Sequence, residues 1–149
     1  MVDSLVTWAV RAVHVVGAAV WVGGFAVMLL AIVPYLGRER NETVRGIALA
    51  TARVISIAGA VTVVAGLVMI SRSRGYGFLL VGEWGGIVIS SIAIAVMMGF
   101  VGDARLRPAI RRLEPGTPDG VAAVRRWALV GLALGVVAVL LMTRAIYAR

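Results

Sequence analysis

Four long apolar runs, separated by short arginine-rich connections, dominate the pattern of hydrophobic and polar positions along the chain. Each run is close to or above the length of about 20 residues that a helix needs to cross a hydrocarbon core. We predict helices over residues 5–34, 44–71, 78–101 and 126–146. Backbone groups in lipid must be hydrogen-bonded internally, so the β-branched runs are also predicted to be helical. The pattern therefore predicts an all-α, integral membrane four-helix bundle.

Composition supports a single membrane domain. The 149 residues are 61% hydrophobic and only 15% charged, which lies outside the usual range of soluble domains. The connections are too short for a second folded unit, so we expect residues 1–149 to form one transmembrane domain. The amino terminus carries Asp3 in place of a basic segment, which argues against a cleaved signal peptide.

The charged residues exclude several function classes. The formal net charge is +8, and every basic residue is an arginine. The arginines flank apolar runs, so they indicate membrane topology and not a nucleic-acid surface.

The chain has no cysteine, which excludes disulfides, zinc-thiolate sites and iron–sulfur clusters on it. The partner that this composition predicts is the lipid bilayer.

Arginine is unevenly distributed between the two sides of the predicted bundle. By the positive-inside rule, the side with more arginine faces the cytoplasm, which places both termini outside in the cytoplasmic membrane. The predicted cytoplasmic side has nine arginines: Arg38, Arg40, Arg45, Arg105, Arg107, Arg111, Arg112, Arg125 and Arg126. The predicted outer side has four: Arg72, Arg74, Arg144 and Arg149.

The only histidine, His14, lies inside the first apolar run. Helical spacing places it on one stripe with Arg11, Gly17, Trp21 and Gly24. An ionisable side chain within a membrane helix is costly unless it faces the bundle interior, which makes His14 a candidate functional residue. A purely structural histidine that donates to a nearby carbonyl or hydroxyl is the alternative.

Two methionines, Met69 and Met142, are predicted at a depth similar to that of His14. Imidazole and thioether form a soft donor set that suits Cu(I), and the same pair can ligate haem iron. Each methionine is also an ordinary packing residue in a helix bundle. Copper held by His14, Met69 and Met142 is therefore the first cofactor hypothesis.

Haem b is the alternative cofactor. In that arrangement His14 is an axial ligand, Gly17 and Gly24 let the porphyrin lie against the first helix, and Arg11 meets a propionate. Trp21 lies deep in the same helix face and completes the predicted cofactor-binding set.

A structural ion pair is predicted near the start of the third helix. Glu83 needs a counter-charge if it is ionised in lipid, and Arg11 or Arg144 could supply it. We predict the pair Glu83–Arg144.

Four segments, in sequence order, carry a resemblance to a known family. They are HVVGAAVWVGG, TARVISIAGAVTVVAGLVM, YGFLLVGEWGGIVIS and DARLRPAIRRL. Together they resemble the membrane domain of the copper-resistance D (CopD) family. The resemblance maps His14 and Trp21-Val22-Gly23 onto that family's first-helix histidine and Trp-x-Gly element, and it maps Arg53 and Gly66 onto second-helix positions.

The resemblance implies a role in copper uptake across the inner membrane. Glu83 stands where such proteins often carry a lysine, and the chain is about half as long as a full-size member. The first-helix pattern is also similar to that of HemJ-type membrane proteins, which bind haem and act in protoporphyrinogen oxidation.

We therefore expect a non-enzymatic protein that handles copper, in uptake or resistance, on the outer side of the membrane through His14. The alternatives are a haem b redox protein and a small accessory subunit of a membrane complex. For copper handling, the expected partner is a periplasmic or extracellular copper carrier. For an accessory subunit, it is the rest of the membrane complex. The sequence is also compatible with a homo-oligomer.

Overall fold

The computed structural model describes residues 2–38, 42–73, 75–113 and 118–148. Over these ranges the chain is helical with no strand, so the predicted all-α four-helix bundle is confirmed. Four helices have the length and apolar composition of membrane spans, which makes this a multi-pass membrane protein by composition. The predicted topology arginines Arg40, Arg74 and Arg149 lie outside the described residues.

Each span is a single long helical path. The first span consists of Val2–Val27, the π-helical segment Met28–Ile32 and Val33–Arg38. The second span is Glu42–Arg72. After a 3-10 turn, Tyr76–Leu80, the third span consists of Gly82–Phe100, the π-helical segment Val101–Leu106 and Arg107–Arg111. The fourth span is Pro118–Ala145.

The first and third spans continue past the ends that the sequence predicted, because each accommodates a proline. The ring of a helical proline clashes with the carbonyl four residues earlier, here that of Leu30 before Pro34 and Ala104 before Pro108. Both carbonyls lie in the π-helical segments. The wider π turn offers a different hydrogen-bond register, so the helix continues instead of ending.

The other boundary differences have local causes. The third span begins at Gly82, not at residue 78, because Tyr76–Leu80 forms a 3-10 turn before it and Gly82 adopts a positive φ of 71°. A Cβ at Gly85 would collide with the Leu79 backbone, so only glycine permits this turn to pack onto the helix. The fourth span begins at Pro118, not at 126, since proline is well tolerated in a first helical turn.

The spans pack as two antiparallel hairpins, the first span with the second and the third with the fourth. Gly131 and Gly135 on the fourth span face Phe25 and Val22 of the first span, which joins the hairpins. We call the end of the bundle that carries Arg38, Glu42, Arg111 and Pro118 the arginine-rich end, and the opposite end the terminal end. The largest fully buried side chains lie towards the arginine-rich end: Phe25, Met28, Ile55, Met98, Leu106, Ile110 and Val124.

Candidate functional site around His14

The His14 imidazole is held between the first two spans. Its Nδ1 lies 2.9 Å from the Thr62 carbonyl oxygen. A carbonyl can only accept, so Nδ1 carries a proton and donates, and in the neutral form of the ring this leaves the lone pair on Nε2. A Cβ at Gly66 would lie 3.0 Å from His14 Cε1, which means that the ring occupies a hollow left by that glycine.

Along the interface between the first two spans, further glycines of the first span face larger side chains of the second. A Cβ at Gly17 would lie 2.6 Å from Thr62 Oγ1, and one at Gly24 would lie 2.6 Å from Ile55 Cγ1. Gly17 and Gly24 are seven residues apart, which is close to two helical turns and keeps both on the face that contacts the second span. Glycines there let the two helices approach closely, as is common in membrane bundles.

The second span packs against the helix face that carries both glycines, with Thr62 beside Gly17 and Ile55 beside Gly24. Gly17 also borders an open apolar groove between the two spans. Trp21 of the predicted cofactor set is likewise buried against the second span. The stripe that the sequence identified therefore serves helix packing.

Arg11 and Met69 come together one layer nearer the terminal end. They line a cavity of about 20 Å³ together with Thr7, Val10, Arg72 and Ser73. This volume can hold a single water molecule or small ion. Two guanidinium groups in the lining disfavour a cation inside the cavity, although Asp3 lies 4.0 Å from Arg72 and offsets part of that charge.

Met142 lies on a different helix from Met69. The antiparallel contact of Gly135 with Val22 brings Met142, seven residues later, near the level of residue 15 in the first span. Its depth thus agrees with the expectation for a residue near His14. The Met142 side chain is 36% exposed, so it lies at the surface of the bundle.

Glu83 and Arg144 form the ion pair that the sequence suggested. Arg144 Nη2 lies 2.7 Å from Glu83 Oε1, and Arg144 Nε donates to the same oxygen at 2.9 Å. Both side chains are about half exposed. The pair links the third span to the fourth at the terminal end.

A polar contact near the other end was missed by the sequence analysis. Ser56 Oγ donates to Asp103 Oδ1 at 2.6 Å, and Arg107 Nη1 lies 3.5 Å from the same oxygen. Asp103 had been assigned to a connection, whereas it lies inside the third span. The apolar positions Leu106 and Ile110, four residues apart, were the signal that the helix continues.

Ser56 and Asp103 stand at one end of a groove between the second and third spans. The groove has a volume of about 410 Å³, and its wall includes small residues such as Gly59, Gly99 and Gly102.

Over the described part of the chain, no three His, Asp or Glu side chains converge as a metal-binding group. Comparison with family models, with curated proteins and with solved structures finds no match to the chain.

Proposed function

We propose that this is a small membrane protein that binds copper as Cu(I) through Nε2 of His14. The main support for copper binding is the hydrogen bond from His14 Nδ1 to the Thr62 carbonyl. In metal sites a ligand histidine commonly donates its second ring nitrogen to a carbonyl or carboxylate, which fixes the tautomer and the ring orientation. The geometry of His14 supports this role, since the lone pair is left on Nε2.

We propose Met69 as a second donor, with the copper on the His14 side of its thioether and outside the cavity that Arg11 and Arg72 line. Met69 lies on the second span one turn beyond Gly66, the glycine that receives the imidazole, which is a rise of about 4.5 Å. Both donors thus belong to consecutive layers of one helix interface. Cu(I) accepts such low-coordinate sets of soft ligands.

The protein would handle copper near the terminal end of the bundle, in keeping with the resemblance to the CopD family. The arginine distribution supports a terminal end that faces outwards. A copper carrier on that side of the membrane is the partner that this arrangement would serve.

Haem b is the second candidate because an apolar groove lies between the span that carries His14 and the second span. This groove between the first two spans has a volume of about 470 Å³ and is lined entirely by apolar residues. Its lining includes Val13, next to His14 in sequence, and Gly17, three residues after it. A porphyrin needs an apolar slot next to its axial histidine, and Arg11 could pair with a propionate.

The test is cofactor content of the purified protein, loaded with Cu(I) under reducing conditions and, separately, with haem. His14→Gln is the informative variant, because an amide can still donate to the Thr62 carbonyl but is a poor metal ligand. We expect one copper per wild-type chain, loss of most copper in His14→Gln, and weaker binding in Met69→Leu.

Met97→Leu is the matched control, since Met97 is 55% exposed on the third span. It should bind copper as the wild type does. A Soret band with haem, and no retained copper, would favour the second candidate. Full cofactor content in His14→Gln, or a wild-type protein that binds neither cofactor, would leave His14 as a structural residue.

A further inference from the structure

Two arginines from different spans converge on the indole of Trp127. The guanidinium carbon of Arg105 lies 5.4 Å from the centroid of the ring, and that of Arg126 lies 5.1 Å from it. Arg105 also lies 5.3 Å from the centroid of the Phe100 ring. Cation–π contacts of this kind hold the flexible arginine side chains near one another.

The third span positions Arg105 for this contact. Asp103 and Arg105 are two residues apart on a helix, which turns their side chains towards opposite sides. Asp103 accordingly faces Ser56 of the second span, while Arg105 faces Trp127 of the fourth. The same short stretch therefore holds the Asp103 carboxylate against the second span and the Arg105 guanidinium against the fourth.

No carboxylate within the described ranges lies at ion-pair distance from Arg105 or Arg126. The nearby carboxylate of Asp103 is already engaged by Arg107, and that of Glu42 by Arg45. Arg105 and Arg126 are both exposed. Two exposed cations with no carboxylate partner among the described residues favour an anion between or beside them.

We propose that Arg105, Arg126 and Trp127 form a binding site for the phosphate of an anionic phospholipid. Guanidinium groups bind phosphate oxygens bidentately, and a pair of them suits a phosphodiester. Trp127 and the exposed Phe100 lie at the arginine-rich end of apolar spans, where aromatic rings mark the membrane interface. A lipid headgroup lies at that depth, and its acyl chains would run along the apolar flank of the third and fourth spans.

The experiment measures the affinity of the detergent-solubilised protein for dioctanoyl phosphatidylglycerol. Arg105→Gln and Arg126→Gln should each weaken binding about tenfold, the effect of losing one charge-assisted contact. Arg105→Lys keeps the charge without the planar fork and should fall between wild type and Arg105→Gln. Trp127→Leu keeps both charges and should weaken binding because their positions are no longer fixed.

Arg125→Gln is the matched control, because Arg125 is an exposed neighbour on the same helix and makes no ring contact. It should leave the affinity within about twofold of wild type. An equal loss in Arg125→Gln would show diffuse attraction to a charged surface, and equal binding of dioctanoyl phosphatidylcholine would show that only the chains are bound. Binding of inorganic phosphate as tight as that of the lipid would assign the site to free phosphate. Each of these three results overturns the proposal.

Discussion

The indole of Trp21 occupies the space that a side chain would fill at Gly59. A Cβ on Gly59 would lie 2.6 Å from Trp21 Cε2, and both residues are buried between the first two spans. The contact is one layer of the interface that also holds His14 against Gly66. The position of the histidine therefore depends on close approach of the two helices at glycines.

Gly59→Ala should destabilise the protein by about 1–3 kcal/mol, because the new methyl group overpacks against a rigid ring. The midpoint of thermal unfolding in detergent measures the effect. Gly46→Ala is the matched control on the same span, since nothing lies within 4 Å of a Cβ there. That change should be neutral or stabilising by up to about 1 kcal/mol through helix propensity. Equal shifts in the two variants would contradict the packing described here.

The Ser56–Asp103 hydrogen bond joins the second and third spans. Ser56→Ala should cost about 1 kcal/mol, below the usual contribution of a bond to a charged group, because Asp103 is 54% exposed. Ser90→Ala is the control, since Ser90 Oγ donates only to the Gly86 carbonyl of its own helix. Denaturation in detergent should separate the two variants. A Ser90→Ala variant as unstable as Ser56→Ala would show that the cost does not come from the interhelical bond.

The number and type of the spans followed from the sequence because the requirement for internally bonded backbone in lipid leaves few choices. The ends of the first and third spans did not follow. Pro34 is read as a helix breaker unless a π turn precedes it, and the arginine-rich segment after Val101 resembles a connection. The stripe containing His14 and Gly17 was identified by helical spacing. Its partner was not, because the rotation of each helix about its axis depends on side-chain packing.

The same limit explains the mixed outcome for the charged residues. Glu83 and Arg144 could be paired from sequence because both flank apolar runs on the same side. Asp103 was missed because its arginine neighbours make the segment resemble a connection. The spacing of apolar residues alone does not show whether a carboxylate lies on the packed face of a helix or on its exposed face.

The arginine asymmetry predicts that the arginine-rich end faces the cytoplasm. The natural chain has no cysteine, so single cysteines can be introduced and labelled without background. Arg112→Cys should react with an impermeant maleimide only after the membrane is permeabilised, whereas Tyr147→Cys should react in sealed cells. Both positions are exposed, which makes them a matched pair. Labelling in the reverse order would invert the topology.

The Glu83–Arg144 pair should contribute little to stability, although it is short. Exposed pairs are worth about 0–1 kcal/mol, and Glu83 and Arg144 are both about half exposed. Glu83→Gln should therefore lower the unfolding midpoint less than Glu83→Leu, because the amide oxygen still accepts from Arg144. A double-mutant cycle with Arg144→Gln isolates the pair, and its coupling energy should decrease as salt is added. A coupling energy near zero at low salt, or equal shifts for the Gln and Leu variants, would show that each side chain interacts with water alone.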